Sequence, residues 1–291
     1  MKARMTALCL FIGFVVVGIV YAAGVEHTFK GLTSLGHNAG NNPTQSSGEN
    51  EYNTFIGTNT GTNITYGDDN TFVGYNAGYH NDVGTDNTFI GRSAGYWNDN
   101  DNEGAATGND NTFIGNEAGN GNKGGDMNTF VGDSSGRSNA TGHENTFIGQ
   151  AAGYFNVEGD HNVFLGASAG YNNEDASDNT FIGYQAGENN TTGSGNVYIG
   201  SGSGNDNISG INCVFIGDGS GEYNTASTNT FIGKHSGHKN TSGTPNTFVG
   251  YRAGYENETS NGNTFIGHCS GQNNDNDDQG EATGNNNTFL G

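Results

Sequence analysis

The chain has 291 residues, with 52 glycines, only 2 prolines and a formal net charge of −21. So acidic a balance disfavours nucleic acid and anionic membranes as partners, and suits an extracellular body or one that meets divalent cations. The 31% hydrophobic content would by itself permit disorder, but Phe and Ile recur in strict register, which points to a packed repeat.

In chain order, Lys2 and Arg4 precede an apolar run from Ala7 to Val20, followed by the small-residue pattern Val20-Tyr21-Ala22. This predicts a secretory signal peptide over 1–23, cut after Ala22 or Ala23, and hence a secreted or cell-surface protein. An uncleaved membrane anchor is the other reading of the run. Residues 24–52 are expected to form an N-terminal cap and loop. There His27-Thr28-Phe29-Lys30-Gly31 reads as a damaged repeat whose Lys30 would block further pairing, and Pro43 opens a polar stretch.

From residue 53 to 291 a single phrase governs the chain. Asn53-Thr54-Phe55-Ile56-Gly57 returns at Asn70, Asn87, Asn111 and onward to Asn287, with variants at Asn162, Asn196 and Cys213. The closing glycines are 17 residues apart, except for one step of 16 and two of 24. A unit this short cannot bury a core alone and must stack on its neighbours. The expectation is an all-β protein, a parallel β-solenoid (β-roll) of about fourteen 17-residue coils, forming one rod of roughly 65 to 70 Å. Thr-Phe-Ile supplies a short strand closed by Gly, and a second short strand is expected near Ala77 and Tyr79. Stacking turns each repeat position into a column. The third is Phe, replaced once by Tyr198; the fourth is Ile, Val or Leu; the twelfth is almost always Asn, expected to adopt the left-handed turn conformation and to bond from coil to coil. Phe faces one side of the strand, Thr and Ile the other. A thin coil encloses only one of them, so the remaining apolar stripe predicts self-association. Cys213 and Cys269 lie three coils apart, roughly 14 Å at one strand spacing per coil, too far for a disulfide.

The phrases Asn87-Thr-Phe-Ile-Gly-Arg-Ser-Ala-Gly95 and Asn179-Thr-Phe-Ile-Gly-Tyr-Gln-Ala-Gly187 resemble the head repeats of trimeric autotransporter adhesins and of related bacterial and phage fibre proteins. The resemblance covers residues 53 to 291, although the family's usual unit is shorter. It implies a left-handed parallel β-roll, three chains packed around one axis, and adhesion to a host or environmental surface.

Several motifs tempt a catalytic reading. Gly91-Arg-Ser93-Ala-Gly95, Gly132-Asp-Ser134-Ser-Gly136 and Gly166-Ala-Ser168-Ala-Gly170 fit a hydrolase elbow, yet each is only the repeat with Ser at the seventh position, and none has a strand leading into a helix. The eight histidines fall on unrelated repeat positions and read as solvated or loop residues. The stronger candidates are the two inserts that make the 24-residue steps. Asp99, Asp101 and Glu103, with Asp110 at the twelfth place, follow the spacing of a Ca²⁺ loop; Asp275 and Asp277 begin a weaker second copy. An acidic, solvated loop is the alternative.

The expected function is therefore a secreted or surface-displayed structural and adhesive rod, not an enzyme, with Ca²⁺ as its candidate ion. Homotrimers or end-to-end filaments are the expected assemblies, the latter through the uncapped strand phrase Asn287 to Gly291. Two other classes compete. An ice-binding solenoid would use the Thr54, Thr71, Thr88 column, which Val163, Val197 and Val214 interrupt. A polysaccharide-acting β-helix enzyme would need clustered acids in a groove.

Overall fold

Each Thr-Phe-Ile phrase forms a strand of three residues, because β-branched and aromatic side chains suit a pleated surface and the glycine behind them ends it. The structure, a computed structural model, describes residues 31–41, 52–98, 108–274 and 284–291. Its fifteen strands, from β1 (Thr33–Leu35) and β2 (Thr54–Ile56) to β15 (Thr288–Leu290), form one parallel sheet in sequence order. The register is the one the repeat dictates: Thr54 lies beside Thr71, Phe55 beside Phe72 and Ile56 beside Val73. The fold is an all-β solenoid of stacked coils.

The inward face is a column of rings. Every strand Phe from Phe55 to Phe265 is buried to within 1% of full burial, as is Tyr198. Around the middle of the stack, Phe130, Phe147 and Phe164 stand 4.8 and 4.7 Å apart with their planes 6° from parallel. Isolated aromatic pairs prefer tilted or offset contacts, but here the strand spacing sets the rise and holds the rings parallel. Opposite the rings sits a column of small residues such as Ala77, Ala94 and Ala152, all fully buried. Where Ser replaces Ala its hydroxyl donates to the strand carbonyl of the next coil, as Ser135 does to Phe147 O at 3.0 Å.

Two glycine columns make the coil this thin. Gly149 has φ +140, and a Cβ there would lie 2.4 Å from Gly166 O of the next coil. Gly153 has φ +59, and its Cβ would lie 2.4 Å from the ring of Phe147. Neither position has room for a side chain, and the first backbone conformation is nearly closed to L residues.

The structure corrects two expectations. No strand forms near Ala77 and Tyr79, because Asn76 and Gly78 take left-handed φ values of 56 and 57. The coils are nevertheless tied together there: Gly78 N–H donates to Ala94 O at 3.0 Å and His80 N–H to Tyr96 O at 2.9 Å. The twelfth-position asparagines are not the left-handed residues; those fall at the seventh and last positions, such as Asn76 and Asp86. The twelfth column does bond from coil to coil, as Asn98 Nδ2 does to Asn81 Oδ1 at 2.7 Å. Within the expected cap and loop, Leu32 to Gly36 adds a strand to the sheet, with Ser34 beside Phe55 in the ring column. His27 to Lys30, and with them the expected Lys30 cap, lie outside the described residues.

Candidate functional site

Two ladders of buried amides fix where the turn side chains stand. In the first-position column Asn145 Oδ1 accepts from the N–H of Asn162 at 2.9 Å, while its Nδ2 donates to Gly159 O at 2.8 Å. In the twelfth-position column Asn156 Nδ2 donates to Asn139 Oδ1 and to the same Gly159 O, both at 2.8 Å. With the ladders holding the turns, the sixth, seventh, tenth and eleventh positions stack in surface columns, and any chemistry there is built from residues about one coil apart.

The ladder also locates the inserts. Within an ordinary coil Asn81 Nδ2 reaches Gly84 O, three residues on, at 2.7 Å; Asn98 makes the same bond to Gly108 O at 2.6 Å and Asn274 to Gly284 O at 2.7 Å, each across ten residues. Both inserts therefore leave and rejoin the coil between its twelfth and fifteenth positions. Of the residues assigned to Ca²⁺, Asp99, Asp101, Glu103, Asp275 and Asp277 lie outside the described residues. Asp110 is exposed, has φ 57, and its N–H donates to Thr85 O at 3.1 Å, so it fills the same turn position as Asp69 and Asp86. The serines of the elbow-like motifs occupy the left-handed seventh position, where Ser134 Oγ bonds its neighbour Asp133 at 3.1 Å.

The outward face of the sheet carries two parallel columns, Thr or Val at the second position and Ile, Val or Leu at the fourth. Ile56, Ile90, Ile114, Ile148, Leu165 and Ile266 are 37 to 43% exposed. On the turn side, aromatic residues stack in short runs: Tyr79 on Tyr96 at 5.1 Å, His80 on Trp97 at 4.0 Å, and Tyr154 on Tyr171 at 5.0 Å.

Further along the same columns the structure gathers residues that the sequence reading left scattered. Glu222 and His238 hold the tenth position of adjacent coils, and His235 the seventh position of the second. One potential ligand atom from each lies within 4.8 Å of the other two, and this is the grouping of that kind among the described residues. Glu222 Oε2 is 3.4 Å from His238 Nδ1, and the two imidazole rings are 4.9 Å apart. Tyr223 and Tyr255 flank His238 at 5.1 and 5.0 Å, and Arg252 lies over Tyr255 at 4.6 Å. Burial, aided by the neighbouring His235, brings the His238 imidazole down to about 4, while burial pushes the Glu222 carboxyl up. The signal that could have found this site is the 16-residue separation of Glu222 and His238, which equals the single short step of the array.

No family model, no curated protein and no solved structure matches the chain. Fold and surface alone define its class: a parallel β-solenoid whose turn columns bear the polar and aromatic chemistry. No helix among the described residues is long and apolar enough to cross a membrane.

Proposed function

We propose that the protein is a structural and adhesive rod, secreted or displayed at a cell surface, which self-associates side by side and presents its turn columns to a partner surface without performing catalysis. One observation carries this reading, the continuous outward ridge of half-exposed Ile, Val and Leu that parallels the buried Phe column. An apolar ridge recurring in every coil exceeds the scattered hydrophobics of an ordinary monomer surface and is best covered by another copy of itself. The resemblance to trimeric adhesin heads favours a homotrimer, and the stacked Tyr and Trp residues suit an adhesive face because such side chains join an apolar body to a polar tip. Ca²⁺ at the insert of Asp99, Asp101 and Glu103 belongs to this reading on its spacing alone, and calorimetry with Asp101→Ala tests it.

The decisive measurement is the mass in solution by light scattering. A multiple of the mass of one chain is expected, reduced to one chain by Ile114→Lys with Ile148→Lys while the β circular dichroism stays. A monomeric mass for the wild type at micromolar concentration would overturn the reading. The same outward face holds the Thr column, so thermal hysteresis near freezing would replace adhesion with ice binding.

A further inference from the structure

The turn of residues 234–239 has two features that the repeat does not require. His235 Nδ1 and His238 Nδ1 are buried and have no hydrogen-bond partner. Native proteins rarely leave such nitrogens unpaired, because taking a polar atom from water without replacing its hydrogen bond is unfavourable. The residue facing them from the preceding coil is Gly219, where most coils place a side chain. A Cβ there would stand 2.5 Å from His235 Nδ1 and 3.1 Å from Glu222 Oε2. Glycine thus keeps clear the space onto which the imidazole and the carboxylate converge.

The geometry suits a small cation. Two donors each about 2.0 Å from a tetrahedral ion stand roughly 3.3 Å apart, and the Glu222 and His238 donors are 3.4 Å apart. A second carboxylate, Asp218, lies 3.9 Å from the far nitrogen of His235, Nε2, beyond hydrogen-bonding distance but close enough to favour a positive charge at the site. Two imidazoles and one carboxylate, with no thiolate, select borderline divalent ions such as Zn²⁺; Ca²⁺ prefers an all-oxygen shell.

We propose that Glu222, His235 and His238 bind one divalent transition-metal ion of the Zn²⁺ kind. The ion clamps the coil beginning at Cys213, the shortest of the array, to the coil beginning at Asn229. Three protein ligands leave a further coordination position for water or for a donor from a partner surface.

The test uses the full chain, stripped with chelator, titrated with ZnCl2 by calorimetry and dialysed. About one equivalent of Zn²⁺ should be retained, and the Tm should rise with added Zn²⁺. Glu222→Gln and His238→Gln should each weaken binding by at least about tenfold and abolish the Tm response. Gly219→Ala should do the same by filling the space. Its backbone is tolerable, since Ala151 holds the equivalent position at φ 53, and unchanged circular dichroism confirms folding. His143→Gln and His161→Gln should bind as the wild type does. Absence of Zn²⁺ retention by the wild type, equal retention by His238→Gln, or displacement of Zn²⁺ by millimolar Ca²⁺ would overturn the proposal.

Discussion

Asn145 lends its side-chain oxygen to the N–H of Asn162, one coil further on, at 2.9 Å, and its amide hydrogen to Gly159 O at 2.8 Å. The exchange recurs along the stack, as between Asn128 and Asn145, at 2.9 Å. Asn145→Ala leaves the buried Asn162 N–H without its acceptor and strips Gly159 O of one of its two donors. Each orphaned buried group costs about 1 to 3 kcal/mol, so the variant should lose roughly 2 to 4 kcal/mol in urea denaturation. An exposed change in the same coil, such as Gln150→Ala, should stay within about 0.5 kcal/mol.

The glycine behind each strand gives a sharper prediction. Gly149→Ala places a methyl group 2.4 Å from Gly166 O and forces an L residue into φ +140. The collision is with the backbone of the next coil, so no side chain can move to relieve it. Loss should exceed about 3 kcal/mol, and hydrogen exchange should report opening on either side of that coil before the rest, because coils contact only their neighbours. Protection that falls evenly along the whole stack would contradict this local picture.

Much of the fold was legible because the period, not any single residue, encodes it. Phe at the third position and Gly at the fifth of each repeat predicted the parallel strands and their register, and three-residue strands in fifteen layers follow. The first-position Asn column was read only as the opening of the phrase, although it supplies half of the buried ladder. The expected second strand failed on φ values at Asn76 and Gly78 that alternation of side chains does not reveal. The Glu222, His235 and His238 grouping was hidden for a related reason. Residues of one surface column are about a coil apart in sequence, so linear motif spacing misses them.

Alkaline pH should weaken the stack near Cys213. This thiol replaces the ladder's asparagine, donates to Ala226 O at 3.3 Å, and is pushed by burial from its ordinary 9.0 to about 11. The adjacent Tyr198 hydroxyl is raised well above its usual range by the same cause. A folded-state pKa above the unfolded one means that the stability contribution is complete below about pH 9 and is lost as pH rises towards 11. Tm should therefore decline over that window. Cys213→Asn should flatten the decline and raise Tm at neutral pH, because an amide oxygen is restored for the N–H of Asn229. A wild-type Tm that is constant from pH 8.5 to 10.5, about the span of the shift, would refute the assignment.

The last prediction concerns the one Tyr in the ring column. Its hydroxyl is fully buried and needs a partner, and it takes Asn207 Nδ2, whose counterpart in the preceding coil, Asn190 Nδ2, donates to the asparagine before it, Asn173. Asn207 Oδ1 then accepts from Gly210 N–H at 2.8 Å, and Asn190 Oδ1 is left buried without a donor. Tyr198→Phe removes the hydroxyl, frees Asn207 to turn back to Asn190, and leaves the ring stack on Phe181 and Phe215 intact at its 4.7 and 4.9 Å spacings. Deleting a buried hydroxyl ordinarily destabilises, because its partner is orphaned. Here the partner has a waiting acceptor, so the variant should be neutral or more stable by about 1 kcal/mol, and Asn207→Ala, which leaves the Tyr198 hydroxyl unpaired as well, should lose about 1 to 3 kcal/mol. The double variant Tyr198→Phe with Asn207→Ala should then be less harmful than the sum of the two, and additive losses in that cycle would show that the hydroxyl does not divert the ladder.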